Sequence, residues 1–426
     1  AADAVAFESQ SVSIEVRAGA LEKAERSEDL EVGLRVLMGQ RQACVSSSAT
    51  DLGTFAQMAE RAVAMALVAP EDDTIGLADP EALARNTDTA PLEADDPSDP
   101  LSPADLKDLA LRTEAAALSR DGISMVESAS AAWGRRRVHL ATSVGFSGGY
   151  AATRSTGGCS AITGSGTDME RDYAYEARCY AADMPAPEEM GRLAADRTLA
   201  RAGSRQPPTG AFPVLFDERV AGSLVGHLLS AINGASIVRG ASWLRDALGE
   251  QVLPRGMSLV EEPHRPRALA SRMFDGEGLP TARKEIVSDG VLQTWILDLA
   301  TGRKLGFAST ANASRGTSSP PSPSTGNLAL TEGAASPEEL LADMGTGLLV
   351  TSMIGATINP TTGDYSRGAS GMWIENGQPS YPVNECTIAG NLRDMLLSLT
   401  AANDAQPHLS RVVPSLRVEG MTIAGA

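Results

Sequence analysis

Twice within the first 205 residues the apolar positions change from strict alternation in short extended runs to the wider spacing of a helix, and this repeated switch most restricts the architecture. Val12, Ile14 and Val16 alternate with Ser13 and Glu15, and further extended runs cover 21–26, 31–38 and 42–47. Leu52, Phe55, Ala59, Val63 and Ala66 then recur at helical spacing, which predicts a four-strand meander with one helix over a face of its sheet. The pattern returns: a helix around 106–117, extended runs at 123–131, 136–142, 149–157 and 173–182, and a closing helix over 187–202. The expected fold class is α+β, with an N-terminal domain, residues 1–205, made of two ββββα-type units. Residues 70–103, rich in Asp, Glu, Pro, Ala and Thr, are expected to form a linker or solvated loop.

The Gly and paired Pro of Arg201-Ala-Gly-Ser-Arg-Gln-Pro-Pro208 mark a boundary, beyond which 206–426 predicts a β-rich C-terminal domain. Ser288-Asp289-Gly290 and Asn376-Gly377 lie between extended runs, and both dipeptides tolerate the positive φ of a tight hairpin. Residues 313–326, rich in Ser and Pro, predict a mobile loop. Between Glu218 and Ile232 the residues Val220, Ala221, Leu224, Val225, Leu228, Leu229 and Ile232 surround a helix, which must be buried on most sides.

Fifty-four acidic residues against 36 basic ones give a net charge of −18, a field that repels phosphate backbones and anionic lipid. Direct nucleic-acid or membrane partners are not expected. Cys44, Cys159, Cys179 and Cys386 form no C-x-x-C pair, and the chain has neither the apolar stretch of a signal peptide nor a run long enough to span a bilayer. A cytoplasmic location is expected.

Ser147 satisfies G-x-S-x-G in Gly145–Gly149, but strand precedes it and glycine-rich extended chain follows, so a turn between antiparallel strands is expected instead of a nucleophile elbow. His227 lies in the buried helix without a His or Glu at ligand spacing, and is expected to be a satisfied core histidine. Glu261-Glu-Pro-His264 reads as a solvated charged loop, and Asp172, Tyr173 and Tyr175 as a solvated strand face. In the cluster Thr361–Gly371 three glycines permit close backbone approach while Asp364, Tyr365 and Arg367 can pair with polar groups. A functional surface and a structural corner fit that cluster equally well.

Several segments then occur in a fixed order: Gly345-Thr-Gly-Leu-Leu-Val350, Gly363-Asp-Tyr-Ser-Arg-Gly368, Trp373-Ile-Glu-Asn-Gly377, Tyr381-Pro-Val383 and Thr387-Ile-Ala-Gly-Asn391. Together with Met169–Tyr175, Gly226-His227-Leu228, Phe274–Gly278 and Ser288-Asp-Gly290 they resemble the PmbA/TldE family over nearly the whole chain. The resemblance implies a subunit of a TldD–TldE metallopeptidase that processes or degrades peptides and poorly folded small proteins; the family's older label is modulator of DNA gyrase.

In that complex the TldD-type subunit holds zinc on His-Glu-x-x-x-His and a C-terminal cysteine. Aligned on Gly226-His227, this chain has Gly222 in place of the first ligand and Ser223 in place of the general base, and no cysteine occurs between Asn403 and Ala426. The resemblance therefore implies a chain with no catalytic residues and no metal of its own, zinc being expected in the TldD-type partner. A heterodimer with that partner is expected, with a homodimer as the alternative for the isolated chain. Asp364, Tyr365, Arg367 and Asn376 are the candidate substrate-binding residues for an extended peptide, added as a β-strand. The alternatives are a self-sufficient hydrolase using Ser147 or His227 and a non-enzymatic, gyrase-modulating interaction protein.

Overall fold

The computed structural model describes residues 1–425, the side chain of Ala356 aside. Its first half is a six-stranded antiparallel sheet of β1 (Ala2–Arg17), β2 (Ala20–Met38), β3 (Arg41–Ser47), β4 (Ile123–Thr142), β5 (Ser147–Thr163) and β6 (Glu170–Arg178) in the order β3-β2-β1-β4-β5-β6. Three helices, α1 (Leu52–Val68), α2 (Pro103–Leu118) and α3 (Pro187–Leu199), accompany it. Each unit contains three strands, not the four expected. The apparent breaks lie within single long strands, Ser27-Glu28-Asp29 being a polar stretch and Ala132–Arg135 one in which Trp133 is buried beside Gly134 and Arg135. In β2 the residues from Ala20 to Leu30 are exposed on both faces, so nothing selects an apolar alternation there.

The central pairing of β1 with β4, running from Asp3↔Thr142 to Val16↔Ala129, fuses the two units into one sheet. Even-numbered β1 side chains face the helices: Ile14 and Val16 share a core with Leu106 and Ala110 of α2 and Ala194 of α3. The opposite face carries Val5, Val138 and Leu140 against Phe146 and Phe274, whose rings meet edge-on at 4.9 Å. That second face joins the sheet to the rest of the molecule.

The second half is organised around a closed five-stranded barrel: β7 (Gly210–Phe216), β8 (Gly347–Ile358), β9 (Asp364–Glu375), β10 (Gln378–Asn391) and β11 (Leu416–Ala424). Neighbours follow the order β10-β9-β8-β7-β11, and Ile388↔Ile423 closes the ring between β10 and β11. Only β7 and β8 run parallel. Val214, Phe216, Leu348, Val350, Trp373 and Val418 share one core with the helix α4 (Glu218–Ala231), while Leu215 and Ile374 point the other way, against α5 (Pro337–Met344). Both expected hairpins form on left-handed backbone, with φ of 48° at Asp289 and 53° at Asn376.

Two expectations about loops are corrected. Residues 70–103 are not a solvated linker: Leu92 and Ala84 are buried, Ala84 N–H donates to Gly278 O at 2.8 Å, and Arg303 donates to the carbonyls of Thr74 and Leu77. A few apolar side chains and backbone hydrogen bonds suffice to strap this acidic segment across both halves. Residues 313–326, expected to be mobile, are fastened by Arg315, whose buried guanidinium meets Asp3 at 2.9 Å. Glu261 is likewise buried, accepting from Asn312 and pairing with Lys284 at 3.1 Å, so that only His264 of its segment is exposed.

Asp3 sits between Arg35 and Arg315, at 2.5 and 2.9 Å, with all three side chains almost wholly buried. Replacing one partner of such an arrangement leaves uncompensated buried charge, so Asp3→Ala should lower unfolding stability by about 3–5 kcal/mol. The urea midpoint at constant slope measures it; a loss no larger than that of an exposed ion pair would contradict this account.

Candidate functional site

Helix α4 starts where β7 leaves the barrel. Asp217 caps it by accepting from Arg219 N–H at 3.1 Å, and the Asp217 N–H donates to Val350 O, so the helix is pinned to β8 at its first residue. Ala221, Leu224, Val225, Leu228 and Leu229 are buried, which fixes the rotation of the helix and puts Ser223 and His227, one turn apart, on one face. Ser223 Oγ and His227 Nε2 are both shielded from solvent and hydrogen-bond to nothing in the described chain. The expectation of a satisfied core histidine is thereby corrected: His227 is half-buried, with an unpaired ring nitrogen.

The His227 ring meets Tyr365 edge-on at 5.7 Å, and Tyr365 Oη lies 3.4 Å from Met353 Sδ. Burial pushes the Tyr365 phenol up to about 12, while burial and the nearby Arg367 guanidinium lower the His227 pKa from its ordinary value, keeping the imidazole neutral at pH 7. Arg367 is itself held by an Nε–H bond of 2.7 Å to Gly355 O. Beyond Val350, β8 pairs among the described residues with β9 alone, which leaves its other edge without a partner strand there, and Ile354 is one of the most exposed large apolar residues.

The structure gathers some candidate residues and disperses others. Tyr365 and Arg367 lie beside His227. Asp364 is exposed in a turn, accepting from Thr362 Oγ1 at 2.6 Å and Asn391 Nδ2 at 3.3 Å. Asn376 stands at the opposite end of β9, roughly 35–40 Å along the strand at about 3.3 Å per residue, in a hairpin turn whose Gly377 leaves no room for a Cβ against Ala342.

The sequence reading named Ser223 only as the residue in place of a general base, and missed that its hydroxyl is an unpaired polar group on the face of His227. It also missed a cleft of ≈ 460 Å³ between β6 and the ends of β8 to β10, lined by Met169, Tyr173, Met353, Ile354 and Glu385 among others. Below it, Arg219 meets Asp172 at 3.2 Å and Arg201 meets Glu170 at 3.2 Å. Asp172, expected on a solvated face, is buried; the alternation in β6 sends Glu170 and Asp172 inward and Tyr173 and Tyr175 outward.

Ser147 opens β5 across from Ala141, as expected of a turn between antiparallel strands. Its Oγ lies 3.0 Å from His139 Nε2, but the pair is exposed, and among the described residues no carboxylate orients the ring.

The match to known proteins covers the whole of this architecture. Residues 2–66, 96–202 and 209–425 fit the models of domain 1, the central domain and the C-terminal domain of the PmbA/TldA metallopeptidases. The chain belongs to the PmbA/TldE family. It is 37% identical over 416 residues to Metalloprotease PmbA of Escherichia coli O157:H7, covering 97% of this chain and 90% of that protein. The PmbA homolog of Haemophilus influenzae is 36% identical at the same coverage. Among PmbA/TldE-like crystal structures, a Bacteroides thetaiotaomicron protein described as a modulator of DNA gyrase superposes with a TM-score of 0.91 at 26% identity, covering 100% of this chain and 94% of that one. TldE of Thermococcus kodakarensis, 18% identical, shares the fold at a TM-score of 0.88 over 100% and 96% of the two chains.

The relatives' name raises the question of a metal. Among the described residues no three His, Cys, Asp or Glu side chains are grouped as a metal ion requires. Around His227 the available groups are a serine hydroxyl, a thioether, a phenol that burial keeps protonated and a guanidinium, which would repel a divalent cation. These residues do not fit zinc. No helix among the described residues is long and apolar enough to cross a membrane.

The same electrostatics are measurable. His227 should titrate below the usual histidine range in an NMR experiment, and Arg367→Gln should move its midpoint upward by removing the cation that opposes protonation. Since the folded state favours the neutral ring, this histidine's contribution to stability is full above the unfolded-state pKa and is lost as pH falls through the folded one. A midpoint unmoved by Arg367→Gln would refute the assigned proximity.

Proposed function

We propose that this chain is the metal-free subunit of a TldD-type zinc metallopeptidase, closing the cavity in which a peptide is cut and holding that peptide in extended form. The observation that carries the reading is the face of α4: where catalysis would need a carboxylate and further ligands, it offers Ser223 and His227 with Arg367 beside them. The free edge of β8 next to that face supports the second part, because unpaired main-chain groups can take up an added strand without reading its sequence. The names of the relatives support the class of reaction, and the net charge of −18 speaks against direct contact with DNA.

In this arrangement the zinc and the general base belong to the partner. This chain's own groups exclude water, fix the backbone direction of the substrate and complete an interface of at least about 1,000 Å². Substrates are unstructured peptides and unfolded small proteins, since a segment has to leave its own fold to lie extended along this edge.

The deciding experiment is zinc analysis and peptide cleavage by the purified chain, by a TldD-type partner, and by both together. Cleavage is expected only with both, is lost on chelation, and survives Ser147→Ala. Stoichiometric zinc in this chain, or amide hydrolysis by it alone, would overturn the assignment.

A further inference from the structure

At the junction between the N-terminal sheet and the second half, a cavity of ≈ 100 Å³ is lined by Phe7, Arg136, Tyr150, Arg272, Asp275 and Arg315, among others. That is room for about three waters at about 30 Å³ each, the size of one small oxyanion. Three of its lining side chains are cationic and one, Asp275, is acidic. Among the described residues neither Arg136 nor Arg272 has a carboxylate within ion-pairing distance. Arg136 lies over the Phe7 ring at 4.2 Å, and Arg272 donates only to carbonyls, Ala313 O at 3.4 Å and Ser324 O at 3.2 Å. The Arg272 Nε–H is buried with no acceptor.

The acidic groups nearby offset this charge only in part, Asp275 acting on Arg272 through space without forming an ion pair. Asp275 spends its oxygens on main-chain donors: Oδ1 accepts from Glu277 and Leu279 N–H, both at 2.9 Å, and Oδ2 from Ala313 N–H at 3.0 Å. Burial raises its pKa and pushes Glu277 up to about 8, which holds Glu277 largely neutral at pH 7. Asp3 is shared between Arg35 and Arg315, leaving that trio with a net positive charge. A small, partly open pocket with two guanidinium groups outside ion-pairing distance of any described carboxylate, and with one unused buried donor, is suited to an anion.

We propose that this cavity is a binding site for a small oxyanion, a carboxylate or phosphate group, held by Arg272 and Arg136 between the two halves of the molecule. The planar fork of each guanidinium suits either group, and the bound anion would bridge β4 to the segment around Arg272, clamping the junction. This site is on the opposite face of the sheet from α1 to α3 and is separate from the α4 face, so it stands independently of the peptidase reading.

Isothermal titration of the full chain with sodium acetate and with sodium phosphate, against sodium chloride at matched ionic strength, tests it. Saturable binding of one anion per chain is expected, with a rise in thermal midpoint that chloride does not give. Acetate alone would identify a carboxylate site and phosphate alone a phosphate site. Arg272→Gln should weaken binding by at least about tenfold, as loss of a charge-assisted bond implies. Arg136→Gln, at an exposed side chain, gives the same test if the buried substitution prevents folding. Equal midpoints in all three salts, or binding undiminished in both variants, would overturn the proposal.

Discussion

A row of ion pairs running from the edge of the N-terminal sheet into the first turn of α4 sets the position of everything at the candidate site. Asp172 on β6 pairs with Arg219 at 3.2 Å, and Arg219 also bonds Asp217, the residue that caps α4 and is tied to Val350 of β8. Arg201, just after α3, pairs with Glu170 and reaches Ser370 on β9 at 3.1 Å, while Asn384 on β10 donates to Glu170. Asp172 and Glu170 are almost wholly out of water and their partners partly so, and poor mutual geometry here would leave a desolvation cost without compensation. An arrangement that tolerates so little misfit fixes the angle between sheet and barrel, and with it the width of the cleft between β6 and β8.

That constraint explains why the site has the form it does. Burial of Leu224, Val225 and Leu228 decides which way α4 faces, but sliding of the helix along its axis is resisted mainly by polar contacts at its start. Once it is pinned there, Ser223 and His227 stand at the level of Tyr365 and the bulged end of β8. A neutral imidazole and a hydroxyl can each donate or accept, which is what a peptide main chain offers in alternation. A carboxylate in place of Ser223 would stand near Arg367 and could be drawn toward it.

Much of the architecture was legible in the chain because it rests on local physics. Alternation in β1, helical spacing in 218–232 and the Asp-Gly and Asn-Gly turns each depend on near neighbours, and each is found where the sequence put it. What could not be read depends on partners far away. Nothing local tells that β2 is one strand through Ser27–Asp29, because its stabilising contact is the pairing with β1; nor that Arg315 finds Asp3 across 312 positions and so fastens a Ser- and Pro-rich loop. Barrel closure through Ile388 and Ile423 is likewise invisible to any window of sequence.

The site followed the same division. Tyr365 and Arg367 could be named from their cluster, yet composition treated Asp364, three residues before Arg367, as their equal. In the fold, alternation along β9 turns Tyr365 and Arg367 toward α4, while Asp364, at the first position of the strand, serves its turn through Thr362 and Asn391. Asp172 illustrates the converse error: in a charged run it reads as solvent-facing, because the arginines that neutralise it come from 29 and 47 positions later. A buried carboxylate is recognised by its partners and not by its neighbours in sequence. For this fold, therefore, the residues that orient the site are the ones local pattern is least able to reveal, and the unpaired atoms of Ser223, His227 and Arg272 become informative only once every other polar group has been assigned its bond.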